Sequence, residues 1–238
     1  MSTAPPATAP QVHRLIHRPP VQGRDWWVRD DVLPDPMAVR ERLLALPPEA
    51  WTPGASHRPE SWPGHRAIPA LTPEELAPIE AWVKACTGHK TLFQASAAQG
   101  NRSGQGAGVA LNHNCVQVVA ADEAGARPHT DSRTLCRYAA VLYLSPDGPA
   151  HAGTTFYRVR LPDGQLGGNT LASRHANLVE ALGTRFVPPD LFVPELSVDH
   201  RFNRLLLYRA DLIHSATAYF GRALAERRMA AVFFWMAR

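Results

Sequence analysis

The chain has 238 residues, a formal net charge of +4, 45% hydrophobic residues and 19% charged residues, a balance typical of globular domains and unlike that of disordered or fibrous chains. Its basic residues are scattered, with no run of five or six, so a nucleic-acid partner is not expected. The N-terminal segment holds no continuous apolar stretch of the length a signal peptide or membrane span requires. Cys86, Cys115 and Cys136, odd in number and widely spaced, do not form a disulfide framework, and a cytoplasmic, reducing setting is expected.

Residues 1–20 are read as a disordered tail, since the Ala/Pro-rich opening MSTAPPATAP buries too little apolar surface to offset its ordering entropy. Residues 21–238 are expected to form one domain, helical over 21–108 and strand-rich over 109–238, with Trp26 and Trp27 marking where the fold begins. Asp35-Pro36 followed by MAVRERLLAL predicts a helix with an N-cap, a proline at its first position and a stop at Pro47-Pro48. Val39, Leu43, Leu44 and Leu46 would face the core. Thr72-Pro73-Glu74-Glu75 is a capping-box pattern, followed by Leu76, Ile79, Trp82, Val83 and Cys86 at helical spacing and by Gly88, which predicts a second helix with Pro78 near its first turns. The stretch GNRSGQGAG at 100–108 lacks the GK[ST] ending of a phosphate loop and reads as a flexible loop.

Beyond it come short β-like runs: LNHNCVQVVAA, RYAAVLYLS, TTFYRVRL, NRLLLYR and RMAAVFFWM, separated by Gly/Pro/Asp-rich turns. Helices followed by strands predict a mainly β fold with flanking helices, a sandwich or barrel. An insertion at about 161–199 interrupts the strands. It contains ASRHANLVEALG, a candidate helix at 172–183, and its length suggests a lid.

In RPHTDSRT, His129 and Asp131 stand two residues apart, so extended backbone turns both side chains to one side. His214 follows the apolar strand NRLLLYR, and a barrel can bring it opposite the HxD turn. Two imidazoles and a carboxylate on one octahedral face leave open positions suited to iron(II). The rival reading gives Asp131 a turn-capping role and leaves the two histidines as ordinary surface and core residues. His113 and Cys115 share an HxC spacing, but no second metal motif completes a zinc site. No GxSxG nucleophile elbow is present.

Three segments, in this order, resemble the prolyl-4-hydroxylase-like branch of the iron(II)/2-oxoglutarate oxygenases: VQVVAADEAGARPHTD, AAVLYLSPDGPAHAGTTFYR, and NRLLLYRADLIHSATAYFG followed by RRMAAVFFW. The nearest likeness is to a little-characterised group of bacterial oxygenase-like domains. The resemblance spans about residues 111 to 236 and implies a double-stranded β-helix, a jelly-roll or cupin-like barrel. It implies Fe(II), 2-oxoglutarate and O2, with hydroxylation of an unactivated C–H bond in a small molecule, amino acid or peptide. No catalytic residue beyond the metal ligands is implied. The family's pattern places a cation at the start of the strand after the distal histidine, to pair with the co-substrate's distal carboxylate. Arg228 and Arg227 compete for that place, with Arg222 more distant; alignment on the strand's aromatic end favours Arg228, with Ala230 and Val232 on its face. The tyrosine usual before the HxD loop is missing at Val119-Ala120-Ala121, and Gln117 and Tyr143, or Asn112 and Asn114, are its candidate substitutes. Arg158, Tyr157 and His151 are candidate substrate contacts. Asp131 argues against the halogenase variant. Two alternatives remain: a metal-binding jelly-roll acting as an isomerase or binding module, and a nucleic-acid demethylase.

Overall fold

A computed structural model of the protein describes residues 9–54, 62–95, 111–185 and 187–238. The Gly-rich stretch 100–108 and the first eight residues lie outside the described residues. In chain order the elements are β1 (Leu15–Ile16), β2 (Trp26–Arg29), α1 (Pro36–Leu44), β3 (Thr52–Pro53), β4 (His65–Ala67), α2 (Pro73–Thr87), β5 (Leu92–Phe93) and β6 (Cys115–Val119). Then follow β7 (Tyr138–Tyr143), β8 (Thr154–Val159), β9 (Thr170–Leu171), α3 (Leu178–Leu182), β10 (Phe192–Val198), β11 (Leu205–Arg209), β12 (His214–Ala216) and β13 (Arg228–Ala237).

Both main helices start where their caps dictate. The Asp35 side chain accepts from Ala38 N ahead of α1. Ahead of α2, Thr72 and Glu75 satisfy each other's backbone N–H groups, and Gly88 closes that helix in the left-handed region at φ 72°, which glycine adopts without a Cβ penalty. The helix runs through Pro78 without a break.

Two antiparallel sheets carry the fold. The larger has the order β2-β11-β7-β13-β6-β4-β3, with β5 paired to the end of β13; the smaller has the order β10-β8-β12. Period-two alternation sorts the long strands between two cores. Leu142, Leu207, Met229, Ala231, Phe233 and Trp235 pack on the outer face of the large sheet against α1 and α2. Val141, Tyr143, Leu206, Tyr208 and Ala230 point the other way and meet Phe156 and Val198 of the small sheet. A third cluster covers the small sheet's far side with Val12, Leu15, Leu178 and Leu182.

Three expectations need correction. The tail expected through residue 20 is ordered from a 3-10 turn at Val12–Arg14, and β1 pairs with β9. Val12 and Leu15, three apart, supply an apolar face that the Ala/Pro-rich average conceals. The insertion at 161–199 is not a lid throughout, because β10 within it pairs along the whole of β8, with a register shift between Pro194 and Leu196. The helix expected over 172–183 shrinks to the five residues of α3, capped by Asn177 and ended by Gly183.

Candidate functional site

His129 and His214 are joined by a pair of backbone hydrogen bonds, His129 N to His214 O at 3.0 Å and His214 N to His129 O at 2.8 Å. Asp131 N donates to Ala210 O. The HxD segment thus lies alongside β12 as an extra edge of the small sheet, which brings together ligand types 83 positions apart in the chain.

The three side chains converge. One ligand atom from each of His129, Asp131 and His214 lies within 4.8 Å of the others. His129 Nε2 is 3.9 Å from Asp131 Oδ1, and His214 Nε2 is 3.7 Å from Asp131 Oδ2. Each histidine donates its Nδ1–H to a backbone carbonyl, His129 to Arg127 O at 2.8 Å and His214 to Leu212 O at 2.9 Å. A carbonyl only accepts, so both rings are fixed as the tautomer whose Nε2 lone pair faces the carboxylate. Among the described residues, Asp131 Oδ2 is buried without a hydrogen-bond partner. Oδ2 is therefore not engaged in capping the TDSR turn, and a buried orphan oxygen beside two imidazole lone pairs is a donor set suited to a divalent cation.

The electrostatics point the same way. Burial pushes the Asp131 carboxyl up to about 7. Burial lowers His129 to about 4, with the Arg127 and Arg66 charges adding to it, and lowers His214, helped by its neighbour His129. Neutral imidazoles beside a carboxyl reluctant to ionise describe a site short of positive charge at its centre.

These ligands open into an inner chamber of about 110 Å³ between the sheets. Arg228 lines it, 3% exposed. Its Nε donates to Ala152 O at 3.2 Å, and its guanidinium carbon stands 5.6 Å from the Tyr143 ring centroid and 5.8 Å from that of Tyr219. Among the described residues no carboxylate lies within ion-pair distance of it. Gly153 explains why the GT-x-F turn keeps a glycine, since a Cβ there would fall 1.9 Å from Val198 O.

The remaining candidates divide. Gln117 lines the chamber, and so does Asn112. Tyr143 lies beneath it, fully buried, its hydroxyl bonded to the chamber residue Thr154 at 2.8 Å. Arg227 is a correction: on the opposite side of β13, it donates to Arg222 O and pairs with Glu123 at 3.4 Å. Arg158 and His151 are corrections too, as neither lines the chamber or the cleft described next. Arg158 is engaged with the carbonyls of Leu166 and Gly167, and His151 sits exposed on a turn. Asn114 holds Leu71 through both its amide groups. His113 bonds to the Phe234 backbone, an internal strand contact.

Tyr157 lines a larger outer cleft of about 1120 Å³, which shares Trp62, Arg127 and His129 with the inner chamber. Sequence reasoning missed Arg66, Trp62, Thr154 and Tyr219. Tyr219 had a signal, lying five residues past His214 in the SATAYFG segment. Arg66 had almost none, because β4 is only three residues long.

The profile of a family of unknown function (DUF6445) matches residues 122–228, from the HxD approach to Arg228. No curated protein matches the chain. Among solved structures the chain is similar to the non-heme alpha ketoglutarate dependent carbocyclase SnoK from nogalamycin biosynthesis, at 16% identity and TM-score 0.51 over 90% of this chain and 80% of that one. The epimerase SnoN, solved with Fe3+, alpha ketoglutarate and nogalamycin RO, matches at 17% identity and TM-score 0.47 over 90% and 80% of the two chains. A Pseudomonas putida prolyl-4-hydroxylase matches at 16% identity and TM-score 0.44 over 90% and 94%. The likeness to SnoK shows a shared fold, mostly antiparallel β.

Proposed function

We propose that the protein is an iron(II)- and 2-oxoglutarate-dependent oxygenase built on a jelly-roll barrel, with His129, Asp131 and His214 as the iron ligands. The observation that carries this reading is the pairing, in one small chamber, of a converging His/Asp/His set with the buried Arg228 guanidinium, which has no acidic partner among the described residues. Bound there, iron(II) with 2-oxoglutarate and O2 supplies an oxidant able to attack an unactivated C–H bond while the co-substrate is converted to succinate. Arg228 anchors the distal carboxylate of 2-oxoglutarate, held in aim by Ala152 O and the two tyrosine rings. The backbone carbonyls of Arg127 and Leu212 keep the ligand nitrogens unprotonated at Nε2. Apolar walls from Val141, Val232 and Phe234 limit water. The substrate enters by the outer cleft, where Tyr157 forms part of the wall. Hydroxylation is the expected outcome. The carbocyclase activity named for SnoK makes ring closure a second outcome to look for in product analysis.

Anaerobic titration of the protein with Fe(II) and 2-oxoglutarate tests the reading. A visible charge-transfer band is expected, followed by stoichiometric succinate on admitting O2, and His129→Ala should abolish both. A wild-type protein that binds iron without the band is instead a metal-binding barrel of another function.

A further inference from the structure

The inner chamber holds a second guanidinium for which the proposed co-substrate has no use. Arg66 on β4 is in register with Gln117, which pairs with Ala230, which pairs with Tyr143. Residues paired across antiparallel strands share a face, so this row places Arg66 on the inner face of the large sheet. Arg66 is 7% exposed, and among the described residues its Nε is buried without a hydrogen-bond partner. Its guanidinium carbon lies 5.9 Å from the Trp62 ring centroid, and Trp62 lines both the chamber and the outer cleft. Arg127 stands at the same junction and lines both cavities. Among the described residues neither arginine has a carboxylate within ion-pair distance. Arg127 is exposed, but Arg66 is not, and a buried cation is ordinarily paired, because desolvating it alone is costly.

The charge balance extends the argument. A divalent cation with Arg66 and Arg228 outweighs the single carboxylate of Asp131 by more than a dianionic co-substrate restores, so the loaded chamber stays positive on its Arg66 side. At about 110 Å³ the chamber is small for a drug-sized ligand, whose pockets run from about 300 Å³ upward; the outer cleft, at about 1120 Å³, is not. Among the described residues that cleft is lined by Arg133, Arg174 and Arg185 with one acidic residue, Glu180, Arg133 standing 3.9 Å from Asp211, over apolar Leu178, Leu182 and Phe192.

We infer that the substrate is an amphipathic anion, its apolar body in the outer cleft and its carboxylate or phosphate bound at Arg66 and Arg127. This rests on the oxygenase reading for the word substrate, though the binding site itself does not. Calorimetry on the full chain, anaerobic and loaded with Fe(II) and 2-oxoglutarate, would use two matched probe pairs: 4-phenylbutyrate against 4-phenylbutyramide, and 2-phenylethyl phosphate against 2-phenylethanol. In at least one pair the anion should bind about tenfold tighter than its neutral partner, the scale of a charge-assisted hydrogen bond, and the preferred pair assigns carboxylate or phosphate. Arg66→Gln and Arg127→Gln should each erase the preference with 2-oxoglutarate affinity unchanged, and Arg66→Lys, which keeps the charge at a position where glutamine could disturb folding, should retain part of it. Equal binding within both pairs, or a preference that survives Arg66→Gln, overturns the inference. Loss of 2-oxoglutarate binding in Arg66→Gln but not in Arg228→Gln also overturns it, by making Arg66 the co-substrate anchor. Absence of the iron and 2-oxoglutarate band in wild type counts against the oxygenase reading alone, since the probe pairs then still report on the arginines in the metal-free protein.

Discussion

The two sheets face each other across the chamber, yet they hold their residues by different means. The large sheet is anchored on both faces: β7 and β13 send alternate side chains into the helix-covered core and into the chamber floor, and nearly all of them are buried. The small sheet mixes apolar residues with buried polar ones, Thr154, Thr155, His214 and Ser215 in β8 and β12, and its HxD edge meets β12 through the His129–His214 backbone pair and a bond from Arg127 N to Ser215 Oγ. Rigidity and chemistry are thus divided. The large sheet fixes the position of Arg228, while the small sheet presents the proposed metal ligands along β12 and the HxD segment beside it.

The contrast can be broken by substitution. Phe233, fully buried and stacked on Trp235 with ring centroids 5.6 Å apart, belongs to the scaffold. Phe233→Ala should cost about 3–5 kcal/mol of stability in denaturant unfolding. His214→Ala on the small sheet should cost the metal-free fold about 1 kcal/mol, yet lower metal affinity at least about 100-fold, beyond the loss typical of an outer-shell partner. A His214→Ala protein as destabilised as Phe233→Ala would remove the distinction.

A smaller effect comes from pH. In the metal-free protein Asp131 stays protonated up to about 7, so bound metal must displace that proton. Affinity should be constant above pH 7 and fall about tenfold per unit below it. His129 stays neutral down to about 4, so a slope of two protons per metal between pH 5 and 7 would contradict this account. Stability of the metal-free fold behaves differently. The raised Asp131 pKa contributes stability that is full below about 3.8 and lost as pH rises to about 7. The depressed His129 pKa contributes stability present above 6.5 and lost as pH falls to about 4. The depressed His214 pKa adds to that of His129, so two histidines outweigh one carboxyl, and the metal-free fold should lose stability as pH falls from 6.5 to about 4.

The smallest effect sharpens the comparison on one strand. Arg227→Gln removes a solvent-accessible pair with Glu123 and a hydrogen bond to Arg222 O and should change stability by less than about 1 kcal/mol, with 2-oxoglutarate affinity unaltered. Its neighbour Arg228→Gln should lose that affinity. If the neighbours behave alike, the two-sided reading of β13 is wrong.

Legibility in the sequence followed the same division. Helices α1 and α2 were readable because Asp35, Thr72, Glu75 and Gly88 form local caps whose chemistry needs no tertiary partner. Strands of the large sheet were readable as apolar runs, and the ten residues of β13 are long enough for alternation to separate Arg228 from Arg227. The small sheet was harder. In FVPELSV of β10, proline and glutamate interrupt the pattern, and the strand is defined by its pairing with β8. Tyr157 was placed near substrate and does line the cleft, but Arg158 next to it turns to the carbonyls of Leu166 and Gly167, a loop contact with no local signal. Arg66 escaped notice because its position depends on register with Gln117, a long-range fact.

Each histidine of the triad is oriented by the carbonyl two residues before it, Arg127 for His129 and Leu212 for His214. Ring direction is therefore written into the backbone of two short stretches of chain. Substitutions at Tyr157, Phe192 or Arg174 could change what the cleft admits while leaving the imidazoles aimed as they are. A scaffold of this kind lets selection redraw its choice of molecule without relearning how to hold its ion.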